Sequence, residues 1–114
     1  MHRLLLLFIL CLSLFMGSGC GSARRGVPIS GPMDTSEARI SRGEKIFKTH
    51  CSQCHPGGEA GVGPALNNKW LPGFLLKMQV RKGYGAMPSF PAGHLSDSEL
   101  DDLVSYMKAL RRHG

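Results

Sequence analysis

The chain has 114 residues, 42% of them hydrophobic, and a formal net charge of +6 from 14 Lys and Arg against 8 Asp and Glu. That length leaves room for one small domain and excludes a multi-domain architecture, and a core of this size is marginal unless something staples it. The basic balance comes without a basic and aromatic platform or a recognisable binding motif, so nucleic acid is excluded as a partner.

Residues 1–20 have the layout of an export signal: a basic start at His2 and Arg3, an apolar run from Leu4 to Met16, then Gly17-Ser18-Gly19 before Cys20. The run is shorter than the ~20 apolar residues a spanning helix needs, and an uncleaved anchor reaching Gly21 is the alternative. The sequence around Cys20 is similar to the lipobox of bacterial lipoproteins, which makes Cys20 the candidate lipidation site and membrane tether. The lipobox prefers Leu where Gly17 stands, and ordinary cleavage after Ala23 is the competing reading. Residues 21–36, GSARRGVPISGPMDTS, lack apolar periodicity and read as a flexible linker spanning roughly 20 Å, with Met33 inside it. The folded domain is expected over 37–114.

A helix of three to four turns is expected next, capped by Asp34 with Glu37 three residues on and supported by the i, i+4 pair Glu44 and Lys48. Ile40, Gly43, Ile46 and Phe47 share one face of it. A glycine within that face costs about 1 kcal/mol in helix propensity, so close contact with another helix is its expected reason.

The run Cys51-Ser52-Gln53-Cys54-His55 follows. Cys-x-x-Cys-His is the pattern on which haem is covalently attached: two thiols add to the two vinyl groups, and the next histidine sits beneath the iron as proximal ligand. A structural zinc site needs four closed ligands, and the other cysteines, Cys11 and Cys20, lie in the leader while His94 and His113 are too far apart for a finger. A thiol oxidoreductase wants its pair after a strand, whereas helix precedes Cys51.

Beyond the motif, a short helix is expected from Pro72 to Lys82, with Leu75, Leu76, Met78 and Val80 available to cover the haem. A Gly-rich segment, Gly83-Tyr84-Gly85-Ala86-Met87-Pro88, leads to a final helix. Ser96-Asp97-Ser98-Glu99 is a capping box for that helix. Its apolar face carries Leu100, Leu103, Val104, Tyr106, Met107 and Leu110, with Asp101, Asp102, Ser105 and Lys108 opposite. A haem iron held by His55 needs a sixth ligand, and a soft, neutral thioether stabilises ferrous over ferric iron. Met87 is the candidate and His94 its rival, while Met78 and Met107 read as core filler.

These features together, with Gly63-Pro64-Ala65-Leu66, resemble the bacterial class I monohaem cytochromes c over residues 37–110. The resemblance implies an all-α fold of three to five short helices around one covalent haem c, with the first and last helices crossing at Gly43 and Tyr106. It places Met87 at the distal methionine position and Pro64 where a carbonyl accepts a hydrogen bond from the proximal histidine. Trp70 and Arg81 are the candidates for contacting the haem propionates.

The expected function is electron transfer by a haem cycling between Fe(II) and Fe(III), with redox proteins as partners, no small-molecule substrate and no enzymatic chemistry of its own. A cytochrome subunit docked permanently to a larger oxidoreductase, and a haem enzyme or gas sensor with an open sixth position, are the alternatives. The leader implies export, to the periplasm or to a membrane anchor facing it.

Overall fold

The structure is a computed structural model that describes residues 4–6 and 32–113. The leader as a signal, Cys20, and all of the expected linker before Pro32 lie outside the described residues. Among the described residues from 32 on, three α-helices, α1 (Ala38–His50), α2 (Gly73–Lys82) and α3 (Asp97–His113), are joined by loops that include a short 3-10 turn, Pro56–Gly58. No named strand occurs among the described residues, in keeping with the all-α expectation.

The first helix starts later than its sequence suggests. Asp34 does not cap it: the Asp34 carboxylate accepts from the Ser36 backbone N–H at 2.8 Å, a local Asx-type turn, and Glu37 holds the cap position with no side-chain bond. Lys48 and His50 in the last turn complement the helix dipole. Ahead of the helix, Met33 packs against the core, so this part of the expected linker is folded onto the domain.

The last helix is built largely as its sequence dictates. The Ser96 backbone N–H donates to Glu99 Oε2 at 2.8 Å and the Glu99 N–H donates to Ser96 Oγ at 3.3 Å, a reciprocal box that satisfies amides the helix start leaves open. Leu100, Leu103, Val104, Tyr106, Met107 and Leu110 are all buried.

These two helices cross and supply the main packing of the domain. Phe47 and Tyr106 meet with ring centroids 5.2 Å apart and planes tilted by 52°. Gly43 is the point of closest approach: a Cβ there would fall onto the Asp102 carbonyl oxygen and within 2.7 Å of Tyr106 Cβ. The expected Gly43 and Tyr106 crossing is thus present.

Asp102 departs from its expected place on the polar side of α3. It is only 7% exposed, because the crossing brings α1 over it. Arg42 meets its carboxylate through Nε at 2.6 Å and through the second guanidinium nitrogen at 3.2 Å, with Arg39 at 3.6 Å. The hydrogen bond from Arg42 holds the Asp102 carboxyl below its ordinary range. A carboxylate with a depressed folded-state pKa stabilises the fold above the unfolded-state value, about 4, and that contribution fades as pH falls through the lower folded-state value. Asp102→Asn is expected to cost roughly 1 kcal/mol at pH 7, a modest figure because the arginine is open to solvent. Thermal unfolding from pH 7 down to 2 checks this: the gap between variant and parent should close below about pH 4.

Helix α2 begins at Gly73 with Pro72 at the cap, one residue later than expected. Leu76 and Val80 are buried, but Met78 is 45% exposed and is not core filler. No helix among the described residues is long and apolar enough to cross a membrane.

Candidate functional site

The Cys51–His55 segment leaves α1 without a break in backbone bonding. Cys51 N–H donates to Phe47 O at 2.8 Å, and Cys54 and His55 N–H both donate to Cys51 O, at 3.1 and 2.9 Å. This tight turn is what puts His55, 7% exposed, under the domain's cleft. The Gly63 N–H then ties back to Cys54 O at 2.9 Å and brings Pro64 against the histidine.

His55 Nδ1 lies 2.8 Å from Pro64 O. A carbonyl can only accept, so the proton of this bond sits on Nδ1, and the neutral ring keeps its lone pair on Nε2. Gly63 makes room for the ring: a Cβ there would fall onto His55 Cε1 and within 2.8 Å of both ring nitrogens. Gly63→Ala should therefore displace the imidazole, at about 1–3 kcal/mol of overpacking. Absorption spectra of the haem-loaded variant check this, with loss of the parent's low-spin signature as the expected result.

Met87 arrives from the other side on a four-residue turn. Tyr84 N–H donates to Met87 O at 3.1 Å and Met87 N–H to Tyr84 O at 3.0 Å, and the Phe90 N–H bonds Val80 O at 3.0 Å, pinning the loop to α2. The Gln79 side-chain amide reaches the Met87 sulfur at 3.8 Å, a weak N–H···S contact.

His55 and Met87 are the two residues common to both halves of the cleft. The outer half, about 150 Å³, is lined by Cys54, Val62, Gly63, Pro64, Tyr84 and Ala86. The inner half, about 70 Å³, is lined by Cys51, Leu66, Leu71, Leu76, Gln79, Val80 and Met107. Cys51 and Cys54 thus sit one in each half. Burial, with Cys54 alongside, pushes the Cys51 thiol up to about 11. A redox-active Cys-x-x-Cys needs the opposite, a thiolate stabilised near neutrality.

The donor set suits a haem. One imidazole nitrogen and one thioether face a mostly apolar cleft, and no group of three or more His, Cys, Asp or Glu that could hold a metal ion occurs among the described residues. An iron here needs its remaining donors from the group that carries it, as a porphyrin provides.

Three expected residues are placed elsewhere. Arg81 gives N–H bonds to Phe90 O at 2.9 Å, to Leu95 O at 2.5 Å and to Asp97 Oδ1 at 2.6 Å, so its guanidinium clamps the loop, and it lines neither half of the cleft. Trp70 lines neither half of the cleft; it is 91% exposed, with the Arg111 guanidinium 5.1 Å from its ring. His94, the rival ligand, stacks edge-on with Phe90 and His50, centroids 6.3 Å away in each case, and lines neither half. Gln79 is the residue sequence reasoning missed, and its position one turn before the end of α2, facing the methionine loop, was the available signal.

Comparison with known proteins agrees with this geometry. Residues 38–107 match the family model described as cytochrome C oxidase, cbb3-type, subunit III. The cytochrome c subunit of 4-cresol dehydrogenase [hydroxylating] from Pseudomonas putida is 32% identical over 85 residues, covering 75% of this chain and 74% of that one. Cytochrome c6 of Cyanidioschyzon merolae is 35% identical over 85 residues, covering 68% and 80%. The crystal structure of cytochrome c6 from the diatom Phaeodactylum tricornutum superposes with a TM-score of 0.55 at 32% identity, covering 63% of this chain and 93% of that one. The chain belongs to this cytochrome c family, with the class I monohaem fold and a covalently attached haem c, and is an electron-transfer protein.

Proposed function

We propose that Cys51 and Cys54 would hold the haem through thioethers, and that His55 Nε2 and Met87 Sδ would be the protein's two donors to its iron. The iron, so held, supplies a one-electron Fe(II)/Fe(III) couple. The chain's part is to orient His55 through Pro64 O, to fix Met87 by the Tyr84–Met87 turn, and to keep water from the inner cleft with Leu66, Leu76, Val80 and Met107. Retention of both ligands in both oxidation states keeps rearrangement small, which suits a carrier meeting redox partners through small docking surfaces. The protein makes and breaks no substrate bonds in this reading. The observation that carries it is the pairing of a tautomer-fixed His55 with Met87 as the two residues shared by both halves of the cleft.

Export to the periplasmic side, with lipidation at Cys20 as the tether, completes the proposal and rests on the leader sequence. Mass spectrometry of the intact protein tests both parts. The expected mass includes one haem that survives denaturation in the parent and is lost in the double variant Cys51→Ser, Cys54→Ser, together with acyl groups on Cys20. Haem that washes out of the denatured parent would refute the thioethers.

A second reading, a subunit docked to a larger oxidoreductase, is favoured by the similarity to a relative named as a cytochrome c subunit of a dehydrogenase. Co-purification with a larger subunit at moderate salt would decide for it.

A further inference from the structure

A second concave surface lies away from the haem cleft. It is a groove of about 410 Å³ between the start of α2, the outer face of α3 and the first turn of α1, and it shares no lining residue with either half of the cleft. Its floor is Gly73 and Val104, and its walls carry Arg39, Lys77 and Lys108. The one acid in it, Asp101, is ion-paired with Lys77, and Arg39 lies 3.6 Å from Asp102, so the three cations of the lining meet two acids and a small excess of positive charge remains.

Two further observations bear on what the groove could hold. Phe74 lines it with 69% of its surface exposed, a large ring that a monomer gains nothing by presenting to water. Lys108 Nζ lies 3.0 Å from where a Gly73 Cβ would be, at the positive end of a helix with no acidic residue in its first turn. A cation there is in a like-charge setting that an incoming carboxylate would relieve.

We propose that this groove docks an acidic segment of a partner protein, one that presents a carboxylate to Lys108 and Arg39 beside an apolar side chain against Phe74 and Val104. Charge complementarity sets the acidic character, and the concave form with Phe74 in its lining fits a protruding side chain better than a flat lipid surface. Docking there leaves the haem cleft open, so the chain can be held by one protein while exchanging electrons with another. That consequence rests on the electron-carrier reading; the groove's binding does not.

The test uses the ferrous haem-loaded protein, whose backbone amide resonances are followed during titration with the synthetic peptide acetyl-Glu-Leu-Glu-Glu-Leu-amide. Shifts centred on Gly73, Phe74, Lys77 and Lys108 are expected, diminishing with added salt. Lys108→Glu, a change at an exposed position, and Phe74→Ala should each weaken the peptide about tenfold or more. Shifts confined to the cleft rim at Val62 and Tyr84, no shifts at millimolar peptide, or unchanged affinity in both variants would overturn the proposal. Binding of phosphatidylglycerol vesicles through the same residues, with no peptide binding, would overturn it in favour of a membrane. Absorption spectra taken alongside report the iron ligands separately, so failure of the His55 and Met87 assignment stays distinguishable from failure of the groove.

Discussion

Met87→Ala is expected to lower the reduction potential of the haem-loaded protein by on the order of 100 mV or more. Axial-ligand identity spans about 0.8 V across haem proteins, so a shift of that size is a small part of the available range. The physical cause is the ligand's preference: a thioether is soft and uncharged and holds ferrous iron better than ferric, and its loss removes that bias. At about 59 mV per factor of ten for one electron, 100 mV corresponds to a roughly 50-fold change in relative stabilisation of the two oxidation states. The loop should survive the change, because its Tyr84–Met87 pairing and the Phe90 to Val80 bond are made by backbone. Met78→Ala is the control: Met78 is 45% exposed and lines neither half of the cleft, so its removal should leave the potential unchanged within experimental error. Redox titration of the three proteins reads both effects, and a parent-like potential in Met87→Ala would remove Met87 from the iron.

The largest stability loss is expected at Gly43. Alanine at this position gains about 1 kcal/mol of intrinsic helix propensity, yet its Cβ meets the Asp102 carbonyl and Tyr106 Cβ. The obstacle is largely backbone, which cannot rotate away, so the two helices must separate. Gly43→Val, with two further methyl carbons, should cost about 3 kcal/mol or more, and Gly43→Ala less. For a domain of this size that is a fall in Tm of roughly 15 °C. Gly93→Ala, where a Cβ would meet nothing within 4 Å, should stay within about 0.5 kcal/mol. Thermal unfolding of the loaded proteins separates them; a Gly43→Val variant as stable as its parent would show that the crossing tolerates a wider gap.

The parts of the fold that were legible in the sequence are those set by local rules. The Ser96 box and the apolar face of α3 depend on residues three and four apart, and the structure carries both. The opening of α1 was misread because Asp34 has two short-range options, and it takes the turn with Ser36 over the cap. Asp102 was misread for a different reason. Helical periodicity places it on the polar side of α3, and only the approach of Arg42, distant in sequence, makes burial of a carboxylate affordable there.

The same division holds at the site. The Cys51–His55 spacing names its chemistry because the bonded geometry is local, and Pro64 meets His55 across a short loop. Arg81 and Gln79 could not be sorted that way. Both lie on α2 with polar heads, and which of them faces the cleft depends on the path of the 84–95 loop, which Arg81 itself fixes through the Phe90 and Leu95 carbonyls while Gln79 turns to Met87.

The near-infrared absorption spectrum of the ferric protein tests the central claim most directly. With His55 and Met87 on the iron, the weak methionine-to-iron charge-transfer band should be present in the parent and vanish in Met87→Ala, and the ferrous parent should resist carbon monoxide. A parent that lacks the band, shows a five-coordinate high-spin spectrum and takes up carbon monoxide at once would contradict it, and would make the open sixth position the working part of the molecule.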